Sequence, residues 1–104
     1  MMIARWHIQT RFGHKQAAID LIQEWKTEIR AQTELDMSAA RLVTGSVGAA
    51  EAEIEEDIPI ASLADLDVFF EKIGSVKLHA DWRKKMSGYV VSGSSYWEVF
   101  RVIG

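Results

Sequence analysis

The chain predicts an α+β sandwich, an antiparallel sheet covered on one face by two helices in the order βαββαβ. Three observations carry this. Apolar and polar residues alternate with period two over Met1 to Arg11, Arg41 to Gly48, Ala52 to Ile60 and Tyr96 to Ile103. Apolar residues recur at three and four over His14 to Arg30 and Leu63 to Ile73. The length, 104 residues, leaves room for one domain, 1–104, with a modest core. That element order is the split βαβ, or ferredoxin-like, arrangement, and it leaves the second sheet face to water or a partner.

In the first strand Met2, Ala4, Trp6 and Ile8 share one face, while Ile3, Arg5, His7, Gln9 and Arg11 share the other. The even face goes to the helices. Phe12-Gly13 turns the chain, and Ala18, Leu21, Ile22, Trp25 and Ile29 then form the apolar stripe of a helix. Ala31 to Ala40 loses the period and reads as a helix end and connection. The second and third strands meet around Gly48-Ala49-Ala50 as a hairpin, with Gly45 and Gly48 also permitting a bulge. In the third strand Ala52, Ile54, Ile58 and Ile60 face one way and Glu51, Glu53, Glu55 and Asp57 the other; Glu56 breaks the apolar face. Ser62 with Asp65 reads as a helix start of the capping-box kind. Leu63, Leu66, Phe69, Phe70 and Ile73 form the second helical stripe, which Gly74 closes. Val76 to Met86 is a further short helical piece, and Gly88 and Ser92-Gly93-Ser94-Ser95 lead to the last strand.

The charge pattern supports a topology. In the spatial order four, one, three, two, strands one and three are antiparallel neighbours, which sets Arg5, His7 and Arg11 against Glu53, Glu55 and Asp57. Opposite charges across such a pair stabilise by roughly 0.2–1 kcal/mol each. Two solvated stripes are the plainer alternative.

Composition excludes several roles. A formal net charge of −3 with mixed signs offers no clustered basic stripe for nucleic acid; Arg83, Lys84 and Lys85 are too few. No apolar run approaches the roughly 20 residues of a membrane span, and Arg5, His7 and Arg11 interrupt any signal peptide, so a cytoplasmic protein is expected. The absence of cysteine rules out disulfides, a thiolate nucleophile and cysteine-bound metal centres.

Taken in order, several segments resemble a known superfamily. Phe12-Gly13-His14-Lys15 turns into a helix with Trp25, Ala61-Ser62-Leu63-Ala64-Asp65-Leu66 opens the second helix, Ser75 to Trp82 follows, and Tyr96-Trp97-Glu98-Val99-Phe100-Arg101-Val102 ends the chain. In this the chain is similar to the dimeric α+β-barrel proteins, the group of antibiotic-biosynthesis-type monooxygenases, NIPSNAP-like proteins and haem-degrading monooxygenases. The resemblance implies a homodimer in which two sheets meet face to face as a dimeric α+β barrel, each subunit keeping a small-molecule pocket between its sheet and helices. It also implies that the Arg5/Glu55 face is covered, where charges must be paired to be tolerated.

By that resemblance His79 is the first candidate for chemistry, as a base, an iron ligand or a pocket residue; a structural histidine is the plain alternative. The haem-degrading pattern also needs an asparagine, and the chain has none. Trp6, Trp25, Trp82 and Trp97 are enough to line a pocket for a planar ligand, although for Trp6 and Trp25 an ordinary core is the favoured reading. Trp82, beside Arg83 and Lys84, fits a pocket mouth, and Tyr89 or Tyr96 offers a hydrogen bond to a substrate oxygen, with no spacing to single out either. His7, His14 and His79 lack metal-ligand spacing, and His7 with Glu55 reads as a structural ion pair before an acid–base pair. The glycine-flanked serines have no nucleophile elbow, and Gly45 to Gly48 is no phosphate loop.

The expectation is a pocket protein with catalytic His79, substrate-binding Trp6, Trp82 and Tyr96, no cofactor and no metal. Its function would be cofactor-independent oxidation of a small aromatic metabolite. The alternative is a non-catalytic ligand-binding or stress-related NIPSNAP-like protein, and haem binding is third.

Overall fold

The computed structural model describes residues 1–28, 32–33 and 35–104. The elements run β1 (Met2–Gln9), α1 (Lys15–Glu28), β2 (Arg41–Thr44), β3 (Glu53–Ile60), α2 (Leu63–Gly74), α3 (Lys77–Met86) and β4 (Tyr96–Arg101). Ile29 and Arg30, the expected end of the first helical stripe, lie outside the described residues.

The four strands form one sheet in the order β2-β3-β1-β4. β1 is central and antiparallel to both β3 and β4, with Ala4 opposite Ile58 on one side and Val99 on the other. The pattern-based order is thus observed, and the expected charge pairing is observed for two of the three cations. Arg5 lies opposite Asp57 and His7 opposite Glu55. Arg11 lies beyond β1, and its Nε donates to the Val90 carbonyl over 2.9 Å.

The barrel expectation is corrected. The sheet is open, with β2 and β4 at opposite edges. Closure requires the edge strands to pair with each other. Four strands, each rotated by roughly 20–25° on its neighbour, leave those edges apart.

β2 is shorter than its alternation implied, because Gly45 leaves the strand for the hairpin. A Cβ at Gly45 would lie 1.8 Å from the Ala50 carbonyl oxygen, so only glycine fits this approach. Gly48 completes the turn with φ of +79°, a left-handed conformation that glycine adopts without strain. The capping expectation at Ser62 also changes: its hydroxyl makes no cap bond, and its carbonyl instead accepts from Asp65 N–H over 3.2 Å.

The helices cover the face formed by the even residues of β1. Ala4, Ile8, Ile54, Ile58 and Ile60 are buried there against Ala18, Ile22 and Trp25 of α1, Leu66, Phe69 and Ile73 of α2, and Met86 of α3. Each large side chain removed from water contributes about 1.5–3 kcal/mol. These residues form two clusters, and Trp82 of α3 packs against both. Leu63 and Phe70, expected on the apolar stripe of α2 that packs inward, are instead exposed, Phe70 at a cavity. No helix among the described residues is long and apolar enough to cross a membrane.

After α3 the chain returns to the sheet before β4 begins. Thr10 and Val90 form a bridge, flanked by Arg11 N–H to the Tyr89 carbonyl and Val91 N–H to the Gln9 carbonyl, both 2.8 Å. This fastening carries residues 90–95 along the mouth of the space between sheet and helices.

Candidate functional site: an aromatic cavity between sheet and helices

That space is a cavity of about 550 Å³, within the range of small-molecule sites. β1 supplies Trp6 and Ile8, α1 supplies Ile22 and Trp25, α2 supplies Phe69 and Phe70, and α3 supplies His79, Trp82 and Arg83. Trp97 of β4 closes one side, with its ring in edge contact with Phe69 and Phe70 at centroid distances of 6.2 and 5.2 Å. All four tryptophans therefore face one volume.

Three of their indole N–H groups are engaged by the protein. Trp6 donates to Ser95 Oγ over 2.9 Å, Trp82 to the Leu21 carbonyl over 2.7 Å and Trp25 to His79 Nδ1 over 3.1 Å. These bonds fix ring orientation and leave the faces and edges of the rings as the contact surface.

The bond from Trp25 also fixes the state of His79. An indole N–H only donates, so Nδ1 is the acceptor and the proton of the neutral ring sits on Nε2. The ring lies nearly parallel to Trp82, 5.6 Å between centroids and 21° between planes. Burial lowers its pKa below the ordinary histidine value, and the positive charge of Arg83 adds to that. His79 is thus a neutral imidazole presenting an N–H. Haem ligation fits these residues poorly, because a ligating Nε2 must shed its proton and the other nitrogen must donate, whereas Trp25 makes Nδ1 accept.

Glu56 is the residue the apolar pattern left unexplained. Its place on β3, opposite Trp6 of β1 and Leu42 of β2, turns its side chain to the helices, where it is 4 % exposed. Lys26 of α1 holds its Oε2 at 3.5 Å. Glu56 supplies the carboxylate among the cavity-lining residues, beside the cations of Arg11 and Arg83. The break in the alternation at Glu56 was the signal for it.

Of the expected site residues, Trp6, Trp82 and His79 line this cavity. Tyr96 is placed on the opposite face of the sheet. There its ring stacks on His7, 4.2 Å between centroids and 4° between planes. Its pKa is raised, first by desolvation and then by the charges of Glu98, Glu53 and Glu55.

No protein-family profile and no curated protein matches the chain. Solved structures do. An uncharacterized NIPSNAP domain protein from Burkholderia xenovorans superposes with a TM-score of 0.77 at 11 % identity, covering 99 % of this chain and 95 % of that one. A NIPSNAP family protein from Agrobacterium tumefaciens gives 0.75 at 19 % identity, with 99 % and 94 % covered. A structure described as an antibiotic biosynthesis monooxygenase gives 0.68 at 9 % identity over 100 % of both chains. At such identities the likeness is one of fold. The chain therefore has the ferredoxin-like fold shared by NIPSNAP and antibiotic-biosynthesis-monooxygenase structures, the group that its ordered segments resemble.

Proposed function

We propose that this protein binds a small planar aromatic molecule in the cavity between its sheet and helices. The observation that carries this reading is the cavity wall: about 550 Å³ lined by six tryptophan and phenylalanine rings among aliphatic and polar side chains, with three of the indole N–H groups already satisfied. Such a wall gains most from a flat apolar ligand, and a few polar groups fix its orientation. His79 Nε2–H is a donor for a ligand oxygen, and the Glu56 carboxylate is an acceptor for a ligand O–H or N–H. Titration of purified protein with phenols, naphthols and aromatic acids, followed by tryptophan fluorescence and calorimetry, tests it. Saturable binding by at least one class, weakened in Trp82→Ala, is expected; no binding across the panel would overturn it.

Glu56 favours a second reading of the same cavity, cofactor-independent oxidation of an electron-rich aromatic by dioxygen. Such a reaction begins with removal of a proton from the substrate, which a buried carboxylate can accept and a neutral His79 can support by hydrogen bonding. In this reading His79 acts as a base only where Trp25 releases Nδ1. Product formation under air, monitored by mass spectrometry, separates the two readings; binding without product leaves the first.

We further propose that the protein works as a homodimer. The sheet face not covered by helices exposes Val43 and Phe100, 45 % and 42 % accessible. A neighbouring structure from Bacteroides fragilis, with a TM-score of 0.64 at 10 % identity, is described as a dimeric protein of ferredoxin-like fold. Light scattering after size exclusion at micromolar concentration gives twice the chain mass if this holds, and the chain mass if it does not.

A further inference from the structure

The sheet face turned away from the helices carries a group of side chains that the cavity does not use. His7, in the central strand, is only 6 % exposed although no helix covers it. Sheet register accounts for this. β3 sets Glu55 directly opposite His7 with Glu53 diagonal to it, and β4 sets Tyr96 opposite on the other side with Glu98 diagonal. The Tyr96 ring lies flat on the imidazole and locks its plane.

Carboxylate oxygens flank both ring nitrogens. Nδ1 lies 3.1 Å from Glu53 Oε1 and 3.1 Å from Glu55 Oε1, and Nε2 lies against Glu98 Oε1. A neutral imidazole has a single N–H. Placed on Nδ1, that proton serves the hydrogen bond to Glu53 Oε1 over 3.1 Å, and the second anionic oxygen there, that of Glu55, is left to share it or to meet a cation in its place. Arg5 is not that cation: its guanidinium grips Asp57 through two bonds of 2.7 and 3.3 Å, and only its Nε comes as near as 3.9 Å to Glu55.

We propose that His7 Nδ1, Glu53 and Glu55 bind a divalent transition-metal ion on this face, with Glu98 on the other side of the ring. The three ligand atoms lie within 4.8 Å of one another. Metal–ligand bonds of about 2.0–2.2 Å place adjacent ligand atoms about 3.0–3.4 Å apart, and both nitrogen-to-oxygen separations, 3.1 Å, fall in that range. One imidazole and two carboxylates suit a borderline ion such as Zn²⁺ or Mn²⁺ better than Ca²⁺ or Mg²⁺, which prefer an all-oxygen shell. Glu98 Oε1 stands beside Nε2, the side on which a ligating histidine commonly meets a carboxylate, without the alignment of a hydrogen bond. On this face Glu53, Glu55, Asp57 and Glu98 stand with the cations Arg5 and Arg41, both of them register neighbours of Asp57 and neither opposite Glu53 or Glu55. All the donors lie on paired strands, which hold them more firmly than loops do.

The test uses the full chain, freed of metal by chelator dialysis and titrated with ZnCl₂ by calorimetry. Elemental analysis of the reloaded, desalted protein accompanies it. One Zn²⁺ per chain is expected, with a rise in Tm on loading and a change in tyrosine near-ultraviolet dichroism as the stack on His7 responds. Glu53→Gln and Glu55→Gln, close in shape to the original residues, should each weaken binding by at least about tenfold while far-ultraviolet dichroism stays the same. His7→Gln should abolish it. Binding that survives in both glutamine variants belongs to His14, His79 or a chain end and overturns the assignment, as does folded protein that takes up no metal at millimolar ZnCl₂.

Discussion

Trp25 donates its indole N–H to Nδ1 of His79 across 3.1 Å, tying α1 to α3 inside the cavity wall. The bond decides which nitrogen of His79 is available to a ligand, and it holds only while the ring is neutral at Nδ1.

A pH dependence follows from that. His79 has a pKa lowered by burial and by Arg83, so in acid the unfolded chain takes up a proton that the folded chain resists. Stability from this group is complete above the unfolded value of about 6.5 and is lost as pH falls toward the depressed folded value. Urea midpoints should therefore drop between pH 7.5 and pH 5, and His79→Gln should lessen the drop. Parallel curves for the two proteins would show that His79 does not contribute.

Removing the donor tests the same bond from its other side. Trp25→Phe keeps an aromatic ring near Phe69 but leaves Nδ1 without its N–H partner, a loss of about 1 kcal/mol or more. The His79 ring resonances should then titrate at higher pH, because the neutral form has lost the bond that favoured it. An unchanged titration would mean that solvent replaces the indole at no cost.

Glu56 should discriminate among ligands. In Glu56→Gln the side chain keeps its size and loses its charge, so aromatics with an O–H or N–H should bind about tenfold more weakly, while their methylated analogues bind as before. That loss is the size of one charge-assisted hydrogen bond. Equal weakening of both would place Glu56 outside ligand recognition and leave the Lys26 pair as its role.

The hairpin offers a prediction independent of any ligand. Gly45→Ala places a methyl 1.8 Å from the Ala50 carbonyl oxygen, which the backbone relieves only by moving, at a cost of roughly 1–3 kcal/mol. Thermal denaturation reads this directly, with Gly74→Ala as the control because a Cβ there meets nothing within 4 Å.

The sheet order was legible because its signals are local and periodic. Alternation in β1 and β3, and the opposite charges on their outer faces, specified a pairing that the register Arg5 opposite Asp57 and His7 opposite Glu55 shows. Other features depend on distant contacts that no local pattern encodes, or on a local pattern that residue type alone overrides. The Ser62-Asp65 spacing fits a capping box, yet the Ser62 side chain makes no such bond. Tyr96 was read as a pocket residue on residue type alone, whereas strand parity sends it to the other face, onto His7. The cavity was half legible. Its tryptophans were visible in composition, but the engagement of three indole N–H groups rests on Ser95, Leu21 and His79, each more than 50 residues from its tryptophan. Glu56 showed itself only as an interruption of the pattern.

The bridge between Thr10 and Val90 bears on how a ligand meets the cavity. Because backbone bonds on either side of it stitch the returning chain to the central strand, the wall carrying Val90 and Val91 is set when the sheet forms. The ordering entropy of that wall is met in folding, so an incoming molecule finds a surface already shaped and need not organise one. On the proposed reading, a wall fixed in this way selects by outline on that side, so related aromatics that differ in shape against Val90 and Val91 should differ in affinity more than those that differ elsewhere.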